Sequence, residues 1–316
     1  MNKIQTVTEA LETQIARVMI GQEKAVRLLL IALIAEGHVL LEGVPGLGKT
    51  LLARCLAKAL GLDYKRIQFT ADLMPSDIVG TQIFDFRQSA FHLMEGPVFT
   101  NILLADEINR APGKTQAALL EAMQERQVSI EGKTKDLPKP FFVMATQNPV
   151  EFEGTYPLPE AQLDRFLFLV RMEYPEKEQE EKILARHGDK TAAMGSALDK
   201  VERVVGSEEL SAAREELFEV HVEDKIRSYL VELIRATRGH IHLELGASPR
   251  AALLLQIAAR CCAALEGRSF MIPDDIKGIF VPCLRHRILP KASAEIEGMN
   301  ATMILEEIAN GVPVPR

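Results

Sequence analysis

The chain has 316 residues, and 37 Lys and Arg against 44 Asp and Glu leave a net charge of −7. A hydrophobic share of 47 % with 26 % charged residues excludes wholesale disorder. The acidic balance counts against a protein that coats nucleic acid non-specifically. The length accommodates about two domains.

Glu9, Glu12 and Arg17 interrupt the N-terminus where a signal peptide needs an apolar core. The longest apolar run, Leu28 to Ala35, is far short of the roughly 20 residues of a membrane span. Cys55, Cys261, Cys262 and Cys283 form no CxxC pair. Reduced, mostly buried thiols and a cytoplasmic protein are expected.

In chain order, His38–Glu42 is an apolar run that predicts a strand. A glycine-rich turn follows, then helical spacing over Thr50–Leu60 with Gly61 as the stop. Further strands are expected at Tyr64–Phe69, Phe99–Ala105, Phe141–Thr146 and Phe166–Met172, with a helix over Thr115–Arg126. This alternation predicts an α/β fold with a parallel sheet covered on both faces. Gln82–Met94 and Val128–Asp136 (Gly132 in its turn) read as two β-hairpin insertions. Beyond Pro175 the spacing predicts a helix over Glu176–Arg186 and a linker over Gly188–Lys200. An all-helical second domain follows. In it Ser248-Pro249 opens a helix that Gly267 ends, and Pro273-Asp274-Asp275 opens another. The division expected is a core over 1–190 and linker plus helical domain over 191–316.

The strongest chemical signal is Gly43, Val44, Pro45, Gly46, Leu47, Gly48, Lys49 and Thr50, a G-x-x-x-x-G-K-T loop between a strand and a helix. Its glycines turn backbone N–H groups toward phosphates, and the helix that follows adds the positive end of its dipole. Lys49 is expected on the β- and γ-phosphate oxygens, and the Thr50 hydroxyl on Mg²⁺. The second signal is Asp106-Glu107 at the end of an apolar strand. Asp106 is expected to hold Mg²⁺ and Glu107 to polarise the attacking water. The third is Ala145-Thr146-Gln147-Asn148-Pro149, where a side-chain amide would orient water or touch the γ-phosphate; a simple turn is the plain alternative. Arg165 and Arg250 are candidates to stabilise charge on the γ-phosphoryl group, although spacing alone favours ordinary surface ion pairs for both.

Other charges have plainer readings. His240-Ile-His242 has metal-ligand spacing but no third ligand nearby, and a short extended segment with alternating polar residues accounts for it. Arg285-His286-Arg287 reads as a solvated helix face. Lys133 and Lys135 are placed at a hairpin tip, either facing a client or keeping the turn soluble.

The motifs Gly43–Thr50, Asp106-Glu107, Asn148 and Arg250, in this order, resemble those of the AAA+ ATPases. Three segments look more narrowly like the MoxR family: Glu42–Thr50, Leu158-Pro-Glu-Ala-Gln-Leu-Asp-Arg-Phe166 and Gly246-Ala-Ser-Pro-Arg-Ala251. Leu284-Arg-His-Arg287 and Val312–Arg316 are also similar to family members. The resemblance implies a P-loop AAA+ core with hairpin insertions, a helical lid, and Mg-dependent hydrolysis of ATP. It implies that Gly43–Leu51 and Asp106 hold the nucleotide, with Leu51 closing that set, and that Thr50 and Asp106 hold the metal. Asn148 becomes the sensor-1 residue and Arg250 the sensor-2 residue that closes the lid in response to ATP. Arg165 becomes a finger reaching a neighbouring subunit's ATP. Ile20-Gly21-Gln22 resembles the adenine-contacting segment, with apolar packing of Ile20 an equally good account. Arg110 would act across the interface or pair with a local acid. The implied assembly is a hexameric ring with a von Willebrand factor A domain partner and a protein client for chaperone-like remodelling, maturation or assembly. A metal-chelatase ATPase subunit and a nucleic-acid remodelling ATPase are the alternatives. The net charge and the lack of a DNA-binding appendage count against nucleic acid.

Overall fold

The computed structural model describes residues 2–87, 89–149, 154–187 and 197–315. Helices α1 (Lys3–Ala16) and α2 (Glu23–Ile34) precede the central strand β1 (Val39–Glu42), which leads through the glycine-rich loop into α3 (Lys49–Leu60). Strands β2 (Tyr64–Gln68), β5 (Ile102–Asp106), β8 (Phe142–Gln147) and β9 (Phe168–Arg171) complete one five-stranded sheet in the order β2-β5-β8-β1-β9. All its pairings are parallel. Side chains alternate between two cores. Val39 and Leu41 join α1, α2 and α3 on one face, and Leu40 faces α5 (Gly113–Glu125) on the other. Burial on both faces is what a parallel sheet requires, and β5 is buried at every position.

Two antiparallel hairpins leave this core. Between β2 and β5, α4 (Pro75–Val79) is followed by β3 (Gly80–Asp85) paired with β4 (Ala90–Glu95). After α5, β6 (Gln127–Ile130) pairs with β7 (Lys133–Asp136). Lys135 is tied to Glu95 of the first hairpin and stands 5.1 Å from the centre of the Phe99 ring. It is therefore a clasp between the hairpins while still exposed, and Lys133 is the member of the expected tip pair that lies next to the turn.

The short α6 (Glu160–Leu163) precedes β9, and α7 (Lys177–His187) follows it. Most of the expected linker, residues 188–196, and the expected boundary at 190/191 lie outside the described residues. Its far end is no free linker. Leu198, Val201 and Val205 are buried in the first core, and Val204 N donates to Ala59 O of α3 at 2.9 Å. Helices α8 (Ser207–Glu216), α9 (Asp224–Gly239), α10 (Pro249–Leu265), α11 (Pro273–Leu284), α12 (Ala292–Ile296) and α13 (Ala301–Gly311) form the rest. Ser248 caps α10 by accepting from Ala251 N at 3.2 Å. The lid is helical apart from a small ribbon in which β10 (Leu243–Leu245) pairs with β11 (Leu289–Pro290). His240 and His242 lie in the turn entering that ribbon, rather than on an extended segment, with ring centres 5.5 Å apart.

Arg285-His286-Arg287 is not a solvated face. His286 and Arg287 are 5 % and 6 % exposed, because the end of α11 runs into the seam between lid and core. All four cysteines are buried free thiols.

Candidate active site at the phosphate loop

The loop after β1 has the backbone that anion binding needs. Gly46 and Gly48 hold φ of +91° and +85°, a left-handed geometry that L side chains adopt at a cost. Gly48 caps α3, so the first N–H groups of the helix open toward the loop. A Cβ on Gly46 would meet nothing within 4 Å, so the cradle is open. Val44, Pro45 and Leu47 connect the glycines, and Leu47 and Leu51 pack on the first core. Met19 covers the loop from the N-terminal side, with its Cε 3.1 Å from where a Gly48 Cβ would stand. The neighbouring Gly21 lies against α7, where a Cβ would stand 2.7 Å from Gln179 Oε1, and Gln22 Nε2 donates to Glu173 O at 3.0 Å.

Lys49 Nζ donates to Gly43 O at 2.5 Å. Burial lowers its pKa, while the carboxylates of Asp106 and Glu107 push it back up. The three charges therefore share one site. Asp106, 9 % exposed, accepts from Thr146 Oγ1 at 2.6 Å and from Arg66 Nε and Nη2 at 3.0 and 2.7 Å. Glu107 sits at φ +56°, a strained conformation for a side chain of its size, and its N–H donates to Thr146 Oγ1 at 2.8 Å. Thr146 thus accepts from one acid's backbone and donates to the other's carboxylate. Glu107 Oε2 also accepts from Gln68 Nε2 at 2.7 Å and Arg110 Nη1 at 3.0 Å. Arg110 thus pairs with a local acid.

The two amides after β8 separate. Gln147 Nε2 donates to Glu42 Oε1 at 2.9 Å, and Arg171 Nε holds the other oxygen of Glu42 at 2.9 Å. Asn148 is buried just past the end of β8, between the strand of the phosphate loop and the strand of Asp106. Thr50 is in the first turn of α3, half-buried beside Lys49. A carboxylate and a hydroxyl are the hard oxygen donors that Mg²⁺ takes alongside phosphate and water, so Asp106 and Thr50 fit that ion.

Arg165 and Arg250 are elsewhere. Leu167 N donates to His38 O at 2.7 Å, so the segment before β9 lies at the start of β1, five residues from Gly43. At about 3.3 Å per strand residue that is roughly 16 Å from the phosphate loop. There Arg165 Nη1 donates to Leu120 O at 2.5 Å, and Arg250 Nε stands 3.7 Å from Asp164 Oδ2. The two arginines are together, at the opposite end of the sheet from this chain's own loop.

Sequence reasoning overlooked Arg66, Gln68, Thr146, Asp164 and Arg287. Arg66 and Gln68 alternate with the buried Ile67 on β2, and this two-residue period ending level with Asp106 was the available signal.

Comparisons with known proteins bear on the fold and the family. Residues 38–168 match the ATPase family associated with various cellular activities (AAA), and residues 235–308 match the AAA lid domain. The chain is 48 % identical over 301 residues to the uncharacterized protein YeaC of Bacillus subtilis, covering 95 % of this chain and 92 % of that one. It is 41 % identical over 312 residues to chaperone MoxR1 of Mycobacterium tuberculosis, covering 96 % and 81 %. The crystal structure of a candidate ATPase from Cytophaga hutchinsonii is similar with a TM-score of 0.90 at 40 % identity, over 99 % of this chain and 97 % of that one. The phosphate loop, the paired acids and relatives that match along nearly the whole length lead to one assignment: the chain belongs to the MoxR family of AAA+ ATPases.

Proposed function

We propose that this chain hydrolyses ATP at sites shared between subunits of a ring, and uses the cycle for chaperone-like remodelling, maturation or assembly of a protein client. The observation that carries the reading is the separation of parts. Lys49, Asp106, Glu107 and Asn148 gather at one end of the sheet, while Arg165 and Arg250 stand together at the other. A neighbour packed head to tail would bring its two arginines to this subunit's phosphates.

In this reading the N–H groups of Gly43–Leu51 cradle the phosphates and Lys49 neutralises the β- and γ-oxygens. Thr50 and Asp106 hold Mg²⁺, which supplies charge neutralisation on the phosphates. Glu107 orients water for in-line attack on the γ-phosphorus and takes up its proton as the bond to the ADP oxygen breaks. Asn148 fixes that water or a γ-oxygen. Arg165 and Arg250 of the adjacent subunit stabilise the charge on the transferred group, a contribution of about 10³–10⁵ in rate for such fingers. Ile20-Gly21-Gln22, lying between the loop and α7, would receive the adenine.

A six-membered ring, a von Willebrand factor A domain partner and a cytoplasmic location complete the proposal. Four buried free thiols suit a reducing compartment. Among the described residues no helix is long and apolar enough to cross a membrane. The client role draws on the name of the mycobacterial relative, a chaperone, and on the hairpin tip where Phe86 is 87 % exposed beside Phe84 and Phe91.

The test mixes Lys49→Ala and Arg165→Ala proteins, each nearly inactive alone. Activity that returns on mixing supports sharing between subunits. Two dead variants that stay dead, with subunit exchange demonstrated, overturn it. Full activity of Arg165→Ala alone removes Arg165 from the finger role.

A further inference from the structure

We propose that Asp164 is a positioning residue that docks the lid, which carries Arg250, onto the core segment that carries Arg165, and so sets both guanidinium groups in one frame for the neighbouring subunit's nucleotide. This rests on the shared-site reading above.

The Asp164 carboxylate faces two lid arginines at once. Its Oδ1 accepts from Arg287 Nε at 2.8 Å, and its Oδ2 stands 3.7 Å from Arg250 Nε. Arg287 comes from just past the end of α11, and Arg250 from the first turn of α10. The Arg287 side chain is 1 % exposed. Its remaining donors go to main-chain carbonyls: Asp164 and Leu167 at 3.1 Å each, and Phe166 and Cys283. Apart from Asp164 these partners are neutral. A buried guanidinium with no counter-charge is strongly destabilising, so Asp164 carries that compensation.

The consequence falls on Arg165, which sits between Asp164 and Phe166. Its backbone is gripped by Arg287 from the lid, while its side chain is held by Leu120 O of α5. Arg250 is held differently. Its side chain is 48 % exposed and its contact with Asp164 is long. It can exchange that carboxylate for a phosphate oxygen, while Arg287 keeps Asp164 in place. Arg165, Arg250 and Arg287 against Asp164 leave two positive charges in excess in this group, suited to a polyphosphate.

The experiment is Asp164→Asn, which keeps the shape and removes the charge. The expected result is a kcat about ten- to hundredfold lower with KM for ATP within about twofold, because the phosphate loop is untouched while the arginines are displaced. Mixing with Lys49→Ala should restore turnover, since that variant supplies an intact arginine face. Mixing with Arg165→Ala should restore nothing, since both defects lie on one face. The Lys49→Ala and Arg165→Ala mixture is the control. If the control recovers and the Asp164→Asn mixture with Lys49→Ala does not, the positioning role falls and the shared site stands. If the control stays dead with subunit exchange demonstrated, the shared site falls and takes this role with it. A parental kcat in Asp164→Asn also overturns the role. Should that variant fail to fold, Asp164→Glu takes its place. It keeps the charge for Arg287 and moves the carboxylate by one methylene, and the same pattern is expected, with a parental kcat overturning the role.

Discussion

Gln68 Nε2 donates to Glu107 Oε2 at 2.7 Å, and Gln68 is itself held by Arg66 through a 2.5 Å bond to its Oε1. The carboxylate assigned to the attacking water is thus already engaged, by Gln68 and by Arg110 on the same oxygen. Both bonds restrain the carboxylate, so swinging it toward water would loosen one of them. Gln68→Ala removes that cost, and basal turnover should rise about three- to tenfold, the equivalent of one net hydrogen bond of about 1 kcal/mol. Steady-state ATPase activity decides. A turnover below the parent's would mean that Gln68 supports Glu107 in its active position.

Lys49→Ala and Glu107→Gln should fail at different steps. The first removes the cation at the phosphate loop and should abolish nucleotide binding in a fluorescent-nucleotide titration. The second keeps the cradle and removes the base, so binding should persist while turnover drops by about 10²–10⁴. If Glu107→Gln turns over like the parent, another group activates the water.

Thr146→Val tests the link between the two acids. It removes the donor to the buried Asp106 carboxylate and the acceptor of the Glu107 N–H. Asp106 then keeps Arg66 on one oxygen but loses the donor that orients the other, and the Mg²⁺ concentration for half-maximal turnover should rise about tenfold, as for other partners that orient a metal-binding carboxylate. EDTA should silence parent and variant alike. An unchanged Mg²⁺ requirement would take Asp106 out of the metal site.

Acid should weaken the fold through two buried histidines. Burial lowers His38 to about 4, against a smaller upward pull from its bond to Met123 O. Burial, reinforced by the Arg287 charge, puts His286 well below its ordinary value. Both pKa values are depressed relative to the unfolded chain, near 6.5, so the unfolded state binds more protons below that pH. Stability is complete above roughly pH 7.5 and is lost as pH falls from 6.5 toward 4, by up to about 2.7 kcal/mol per unit with both sites engaged. Denaturant midpoints from pH 8 to 5 give the slope, and His38→Gln should roughly halve it. An undiminished slope would place the acid lability elsewhere.

Phe86→Ser should separate ATP chemistry from client contact. The ring is exposed at the hairpin tip, far from any core packing, so basal ATPase activity and stability should stay within about 0.5 kcal/mol of the parent. Suppression of aggregation of a chemically unfolded model protein should fall. Equal suppression by both proteins would remove the aromatic tip from the client surface.

The parts legible in the sequence were those whose chemistry is contiguous. A phosphate cradle must be built from neighbouring backbone N–H groups, so Gly43–Thr50 declares itself. Asp106-Glu107 is visible because an apolar strand ends in two acids. The sheet and both hairpins follow from period and turn residues. What stayed hidden depends on partners distant in the chain. Arg66 and Gln68 look like the wet side of a strand until β5 places Asp106 and Glu107 beside them. Arg287 looks like surface charge because the carbonyls that receive it belong to 164–167, over a hundred residues earlier. Lys135 looked like a free tip because Glu95 lies in the other hairpin. Charge in a sequence does not say whether a counter-charge waits for it.

The parallel sheet puts donor and acceptor halves of the proposed catalytic unit on opposite strand ends. An assembly built on that polarity has no two-fold contact. An open trimer of such subunits holds two complete sites, and only closure supplies the last one. Specific activity should therefore climb with dilution reversed, more steeply than mass action on a dimer allows. A copy without its arginine face would disable a site that belongs to its neighbour, so an Arg165 allele expressed beside a sound one would act dominantly.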